Sequence, residues 1–142
     1  MIRIFAIILM LTSCAHQSPE LPDIPELKRT IEILKKAGDI GKLPHFIYAP
    51  LKKDSAGYYN RIEDTIHINS RIWPLLTIRQ QRMVLIHEIG HGALKRPHLN
   101  TIKFEDGCPE SIMLYNIAAK CYTDHKEYYL NELFEDKGRI YE

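Results

Sequence analysis

Residues 87 to 91 read His-Glu-Ile-Gly-His. On a helix, residues four apart stand one above the other on the same face. His87 and His91 can therefore bring two imidazoles to a single ion, and neutral imidazole nitrogen binds zinc at about 2.0–2.1 Å in a tetrahedral arrangement. Glu88 lies beside His87, so its carboxylate can reach a water held at an open coordination position. Zinc lowers the pKa of such a water and polarises a bound carbonyl. Glu88 can take the proton as the water attacks and hand it to the leaving amine, while the metal stabilises the oxyanion that forms. The chemistry indicated is metal-assisted hydrolysis of a peptide bond with one Zn2+. Three fixed positions also recur by chance, which would make His87 and His91 two satisfied histidines on a surface helix. Gly90 and Gly92 argue against that, because each costs about 1 kcal/mol relative to alanine inside a helix and so implies close packing or room for a substrate.

A catalytic zinc needs a third protein ligand. His98 is the leading candidate, since a turn through Leu94–Pro97 can swing it back to the metal. Glu105, Asp106 and Glu110 are the carboxylate candidates. Glu110 is the best of them, if it stands near the start of a second helix facing the first.

"HEIGHGALKRPH" followed by "SIMLY" at 111–115 resembles the metzincin zinc peptidases, whose motif is HExxHxxGxxH with a methionine turn often written SxMxY. The resemblance runs from Thr65 to Tyr115. It implies a zincin-like α+β fold, with His87, His91 and His98 as metal ligands and Glu88 as the base. It also implies that Met113 gives the metal site an apolar floor and that Tyr115 hydrogen-bonds the oxyanion as a catalytic helper. Outside the motif, Met113 would be core filler and Tyr115 an amphipathic surface residue. Two positions depart from the family. Its turn glycine falls at Leu94 and its third histidine at Pro97, so His98 sits one residue late and the helix must end by a different turn. The longer spacing with a nearby "SIM" is similar to a variant in small secreted bacterial proteins.

These residues need elements to position them. Leu27, Ile31, Leu34 and Ala37 form the stripe of an amphipathic helix that stops at Gly38. "HFIYA", "GYYN" and "TIHIN" are strand candidates. In the last, Ile66 and Ile68 share one face, and Thr65, His67 and Asn69 the other. "TIHIN" is the expected edge of the cleft, where an extended peptide would add by strand pairing, with Tyr59 and Asn69 as lining. His67 reads as an exposed strand histidine. Thr77 and Gln80 make a capping box for the helix that carries His87, with Leu85, Ile86, Ile89 and Ala93 as its buried stripe. Pro109 suits a helix start or turn, and Asp124 can cap a last helix running to about Lys137. The expected fold is α+β: a small twisted sheet packed against the active-site helix and the C-terminal helices.

The chain has 142 residues, the size of one domain. Residues 1–13 read as an export signal: Arg3, an apolar run too short to span a bilayer, then "LTSC". That ending resembles the lipobox of bacterial lipoproteins, which implies cleavage before Cys14 and its lipidation. Residues 14–25 would be a Pro-rich tether and 26–142 the metallopeptidase domain, held by lipid on the periplasmic or surface-facing side of a membrane. Ordinary secretion would leave Cys14 free. Cys108 and Cys121 are candidates for a disulfide in an exported chain, or else two small buried hydrophobes. There are 19 Lys and Arg against 18 Asp and Glu, and no basic patch suggests nucleic acid. The expected substrate is a peptide or flexible protein segment; no feature specifies an oligomeric state. The competing functions are a zinc hydrolase with Glu110 as third ligand and a non-catalytic zinc-binding envelope lipoprotein. Glu88 argues against the second, because a structural zinc needs no base.

Overall fold

A computed structural model describes residues 21–52, 54–99, 103–114 and 118–135. The expected export signal, Cys14, Tyr115 and the expected end of the last helix at Lys137 lie outside the described residues. The elements are α1 (Pro25–Ala37), β1 (His45–Ala49), β2 (Gly57–Asn60), β3 (Thr65–Asn69), a short 3-10 turn (Trp73–Leu75), α2 (Ile78–Gly92), α3 (Ala119–Asp124) and α4 (Lys126–Glu135). The architecture is mixed α+β, with a three-stranded sheet packed against helices. Among the described residues no helix is long and apolar enough to cross a membrane.

The three strands coincide with the three strand segments read from the sequence, but their order is β1-β3-β2. β1 runs parallel to β3, and β2 antiparallel to it. "TIHIN" is therefore the central strand, not the edge of the cleft, because both of its hydrogen-bonding sides are taken. The edge beside α2 is β2. Ile66 and Ile68 point into the core as their alternation requires, while Thr65 and Asn69 on the opposite face are also buried. Asn69 does not line a cleft: it accepts from the Leu51 and Arg71 N–H groups and donates to the Ser55 carbonyl, tying down the 51–56 loop. His67 stacks on Tyr58 and meets Glu63 at 3.1 Å.

α2 is the spine. Its Thr77–Gln80 capping box is formed in both directions, satisfying two of the orphan donors at its start. Leu85, Ile86 and Ile89 enter the core with Leu27, Ile31 and Leu34 of α1. Across the same packing, the Arg82 guanidinium reaches Glu26 of α1 at 2.6 Å, both largely buried. Tyr129, Leu130 and Leu133 of α4 close the other side. The C-terminal helical segment is two helices, broken at His125 (φ −119°, ψ 24°). Asp124 ends α3 and does not cap the last helix. His125 leaves helical geometry where its ring meets Asp106 at 2.7 Å and stacks on Phe104. Pro109 pairs with Lys103 in an isolated bridge and Ile112–Met113 form a turn, so Pro109 starts no helix and Glu110 does not stand on one facing α2.

Candidate metal centre

The C-terminal half of α2 presents His87 and His91 on one face, one turn apart. After Gly92 the chain leaves the helix through Ala93, Leu94 and Lys95, and Lys95 adopts φ +57°. This left-handed residue does the reversing that a glycine would do more cheaply. The Arg96 N–H returns to the Gly90 carbonyl at 3.0 Å. The Lys95 ammonium is held by the Tyr59 hydroxyl at 3.2 Å, and Tyr59 in turn donates to Asp64 at 2.7 Å.

The turn brings His98 back onto the helix. The Nε2 atoms of His87, His91 and His98 stand 3.0–3.1 Å from one another. Nitrogens around one tetrahedral zinc at its usual bond length would be ~3.3 Å apart, close to this triangle. The other ring nitrogens show which lone pairs face inward. His87 Nδ1 lies 2.9 Å from the Ile112 carbonyl and His91 Nδ1 2.6 Å from the Arg96 carbonyl. A carbonyl only accepts, so each Nδ1 carries the proton, and in a neutral ring each Nε2 offers a lone pair. Burial disfavours the charged form of both rings. It lowers the His87 pKa despite the Ile112 carbonyl, and it holds His91 down to about 4, with His87 adding to the effect. Two facing lone pairs 3.0 Å apart repel, and a cation shared between them turns the repulsion into coordination. The donor set therefore fits a divalent metal of zinc type.

Glu88 is 8% exposed and faces the same cleft. Burial pushes its carboxyl up to about 7, and a backbone hydrogen bond from Tyr59 on β2 opposes this. The cleft has a volume of about 640 Å³, and beside the three histidines and Glu88 it exposes Tyr58 and Tyr59 from β2, Met83 and Val84 from α2, and Ile112 and Leu114 from the turn. Met113 is fully buried. A Cβ on Gly90 would lie 2.7 Å from its sulfur, and one on Gly92 would meet Pro44 at 2.7 Å and the Tyr59 ring at 3.2 Å. Both glycines thus sit at close approaches, of Met113 on one side and of Pro44 and Tyr59 on the other.

Among the described residues a second group of potential ligands, Asp106, Cys108 and His125, also lies within mutual reach. Cys108 is bonded to Cys121, which takes its sulfur out of thiolate chemistry. The same bond staples the turn that carries Ile112 and Met113 to α3. Glu110 and Glu105 belong to neither group. Residues that no sequence signal marked also matter: the Ile112 and Arg96 carbonyls orient two of the histidines, and buried Arg96 and Ser111 both bond half-buried Glu132. No protein-family model matches the chain, and no curated protein matches it either.

Proposed function

We propose that this chain is a zinc-dependent endopeptidase, with His87, His91 and His98 as the metal ligands and Glu88 as the general base. The observation that carries it is the triangle of inward-facing Nε2 atoms beside a buried carboxylate in an open cleft. Three protein ligands are the pattern of a catalytic zinc, whereas closed structural sites use four. A zinc bound there would supply a Lewis acid for the scissile carbonyl and a lowered pKa for water.

The chain's own groups do the rest. Glu88, with a pKa near 7, is poised to accept a proton from water and return it to the leaving amine near neutral pH. The apolar walls around Glu88 exclude competing water and receive side chains of the substrate. Tyr115, two residues beyond Met113, is assigned the oxygen that gains charge. β2, the edge strand that lines the cleft, is the place for an extended peptide to pair. Export, with lipid on Cys14, would set the protein on a bacterial envelope membrane, where peptides or flexible protein segments are the substrates. With zinc added, the full chain in detergent should cleave a mixed peptide library, and Glu88→Gln should retain zinc while cleaving about 10²–10⁴-fold more slowly. Equal cleavage by the variant, or no zinc bound by either, would overturn the proposal.

A further inference from the structure

Two largely buried Arg–Glu pairs hold the metal-binding helix, one from α2 itself and one from the turn just past its end. Arg82–Glu26 ties its first half to α1. The pair at the other end joins Arg96, 4% exposed, to Glu132 of α4 through Glu132 Oε1. The second pair differs in what its members touch. The Arg96 carbonyl accepts the His91 Nδ1 proton, and its N–H caps Gly90. The other carboxylate oxygen, Glu132 Oε2, accepts from the Ser111 hydroxyl at 3.1 Å. Ser111 Oγ accepts the Met113 N–H at 3.1 Å, closing the turn whose Ile112 carbonyl takes the His87 Nδ1 proton. The Leu99 N–H bonds the Met113 carbonyl at 3.1 Å, lacing the two loops together on either side of His98. One carboxylate from a distant helix thus reaches both loops that orient the histidines.

We infer that Glu132 is the positioning residue of this metal centre: through Arg96 and Ser111 it holds the two backbone carbonyls that fix the tautomers of His91 and His87. The inference rests on the histidines being the metal ligands. A metal-binding histidine depends on the acceptor behind it for ring orientation and tautomer, and loss of such a partner typically costs about 10–100-fold in metal affinity. Here the acceptors are carbonyls, which cannot be removed by substitution, so their placement falls to the side chains that pin the loops. Glu132 pins both with its two oxygens.

Arg82–Glu26 is the internal control, a pair of the same chemistry whose arginine stands on α2 and which, among the described residues, bonds neither of the two loops. Glu132→Gln and Glu26→Gln are made in the full chain. Zinc affinity is read by competition with a chromophoric chelator, and the imidazole 15N shifts of His87 and His91 are read in the metal-free protein. Glu132→Gln should weaken zinc binding about 10–100-fold and move the His91 shifts from a single Nδ1–H tautomer toward a mixture. Glu26→Gln should leave both readouts near wild type. Should Glu132→Gln fail to fold, Ser111→Ala removes one arm alone, and it should shift the His87 tautomer while sparing His91. Zinc affinity and tautomers unchanged in Glu132→Gln, equal weakening by Glu26→Gln, or unchanged His87 shifts in Ser111→Ala would each overturn the inference. A wild-type chain that binds no zinc would instead refute the proposed function, and the tautomer shifts would still decide the role of Glu132.

Discussion

His87, His91 and His98 on one side and Asp106, Cys108 and His125 on the other each bring three ligand atoms within 4.8 Å of one another. They differ in what each donor is already doing. In the first cluster, backbone carbonyls take the outward protons of His87 and His91 and leave lone pairs converging on one point. In the second, the sulfur of Cys108 is spent on Cys121, and the His125 ring is already met by the Asp106 carboxylate at 2.7 Å. The difference teaches that proximity of ligating residues is not availability: a site is defined by lone pairs left unused by the protein's own hydrogen bonds.

The largest effect separates the two clusters by removing one ligand from each. His98→Ala should abolish stoichiometric zinc binding, while His125→Ala and Glu110→Ala keep it, as read by metal content after gel filtration. Retention by His98→Ala would move the third ligand elsewhere. The next effect concerns the disulfide. Replacing Cys108 and Cys121 together with serine should cost about 3 kcal/mol on a loop of 13 residues' separation, measured by urea unfolding. Zinc stoichiometry should survive it, because no sulfur is needed. A smaller effect contrasts the two carboxylates. The Glu88 pKa is raised by burial to about 7 from 4.5, so its stabilising contribution is present below pH 4.5 and is lost as the pH rises through 7. In metal-free protein, Glu88→Gln should therefore gain ~2 kcal/mol relative to wild type between pH 5 and pH 8. The Asp106 pKa is lowered, chiefly by its hydrogen bond from His125, so its contribution has the opposite sign: present at neutral pH and lost as the pH falls through the carboxylate range. Asp106→Asn should accordingly flatten only the acid limb of the stability curve. A Glu88→Gln curve parallel to wild type would contradict the burial assigned to that side chain.

Much of this architecture is legible in the sequence where local physics decides. The alternation in "TIHIN", the capping box at Thr77 and Gln80, and the i, i+4 spacing of His87 and His91 all act within a few residues, and the structure contains each. The close packing implied by Gly90 and Gly92 is there as well, with Met113 and Tyr59 as the neighbours. What the sequence conceals is set at long range. Strand order depends on β1 passing over to pair parallel with β3, which no alternation records, so β3 is central and β2 is the edge beside α2. The break at His125 follows from its contacts with Asp106 and Phe104, far away in the chain. Reading Asp124 as the cap of the last helix misses it, because Asp124 closes the helix before the break. The acceptors behind His87 and His91 are backbone carbonyls, and every residue has one, so residue type could not mark Ile112 or Arg96. Glu132 looks like any helical glutamate until Arg96 is seen beside it.

The most direct test of the three-histidine centre is zinc K-edge X-ray absorption of the full chain carrying one equivalent of zinc. A shell of nitrogen and oxygen only, with the multiple-scattering pattern of imidazole rings and no sulfur, is the predicted result. A sulfur scatterer would place the metal at a cysteine instead of the three histidines, and a chain that cannot be loaded with zinc would contradict the centre altogether.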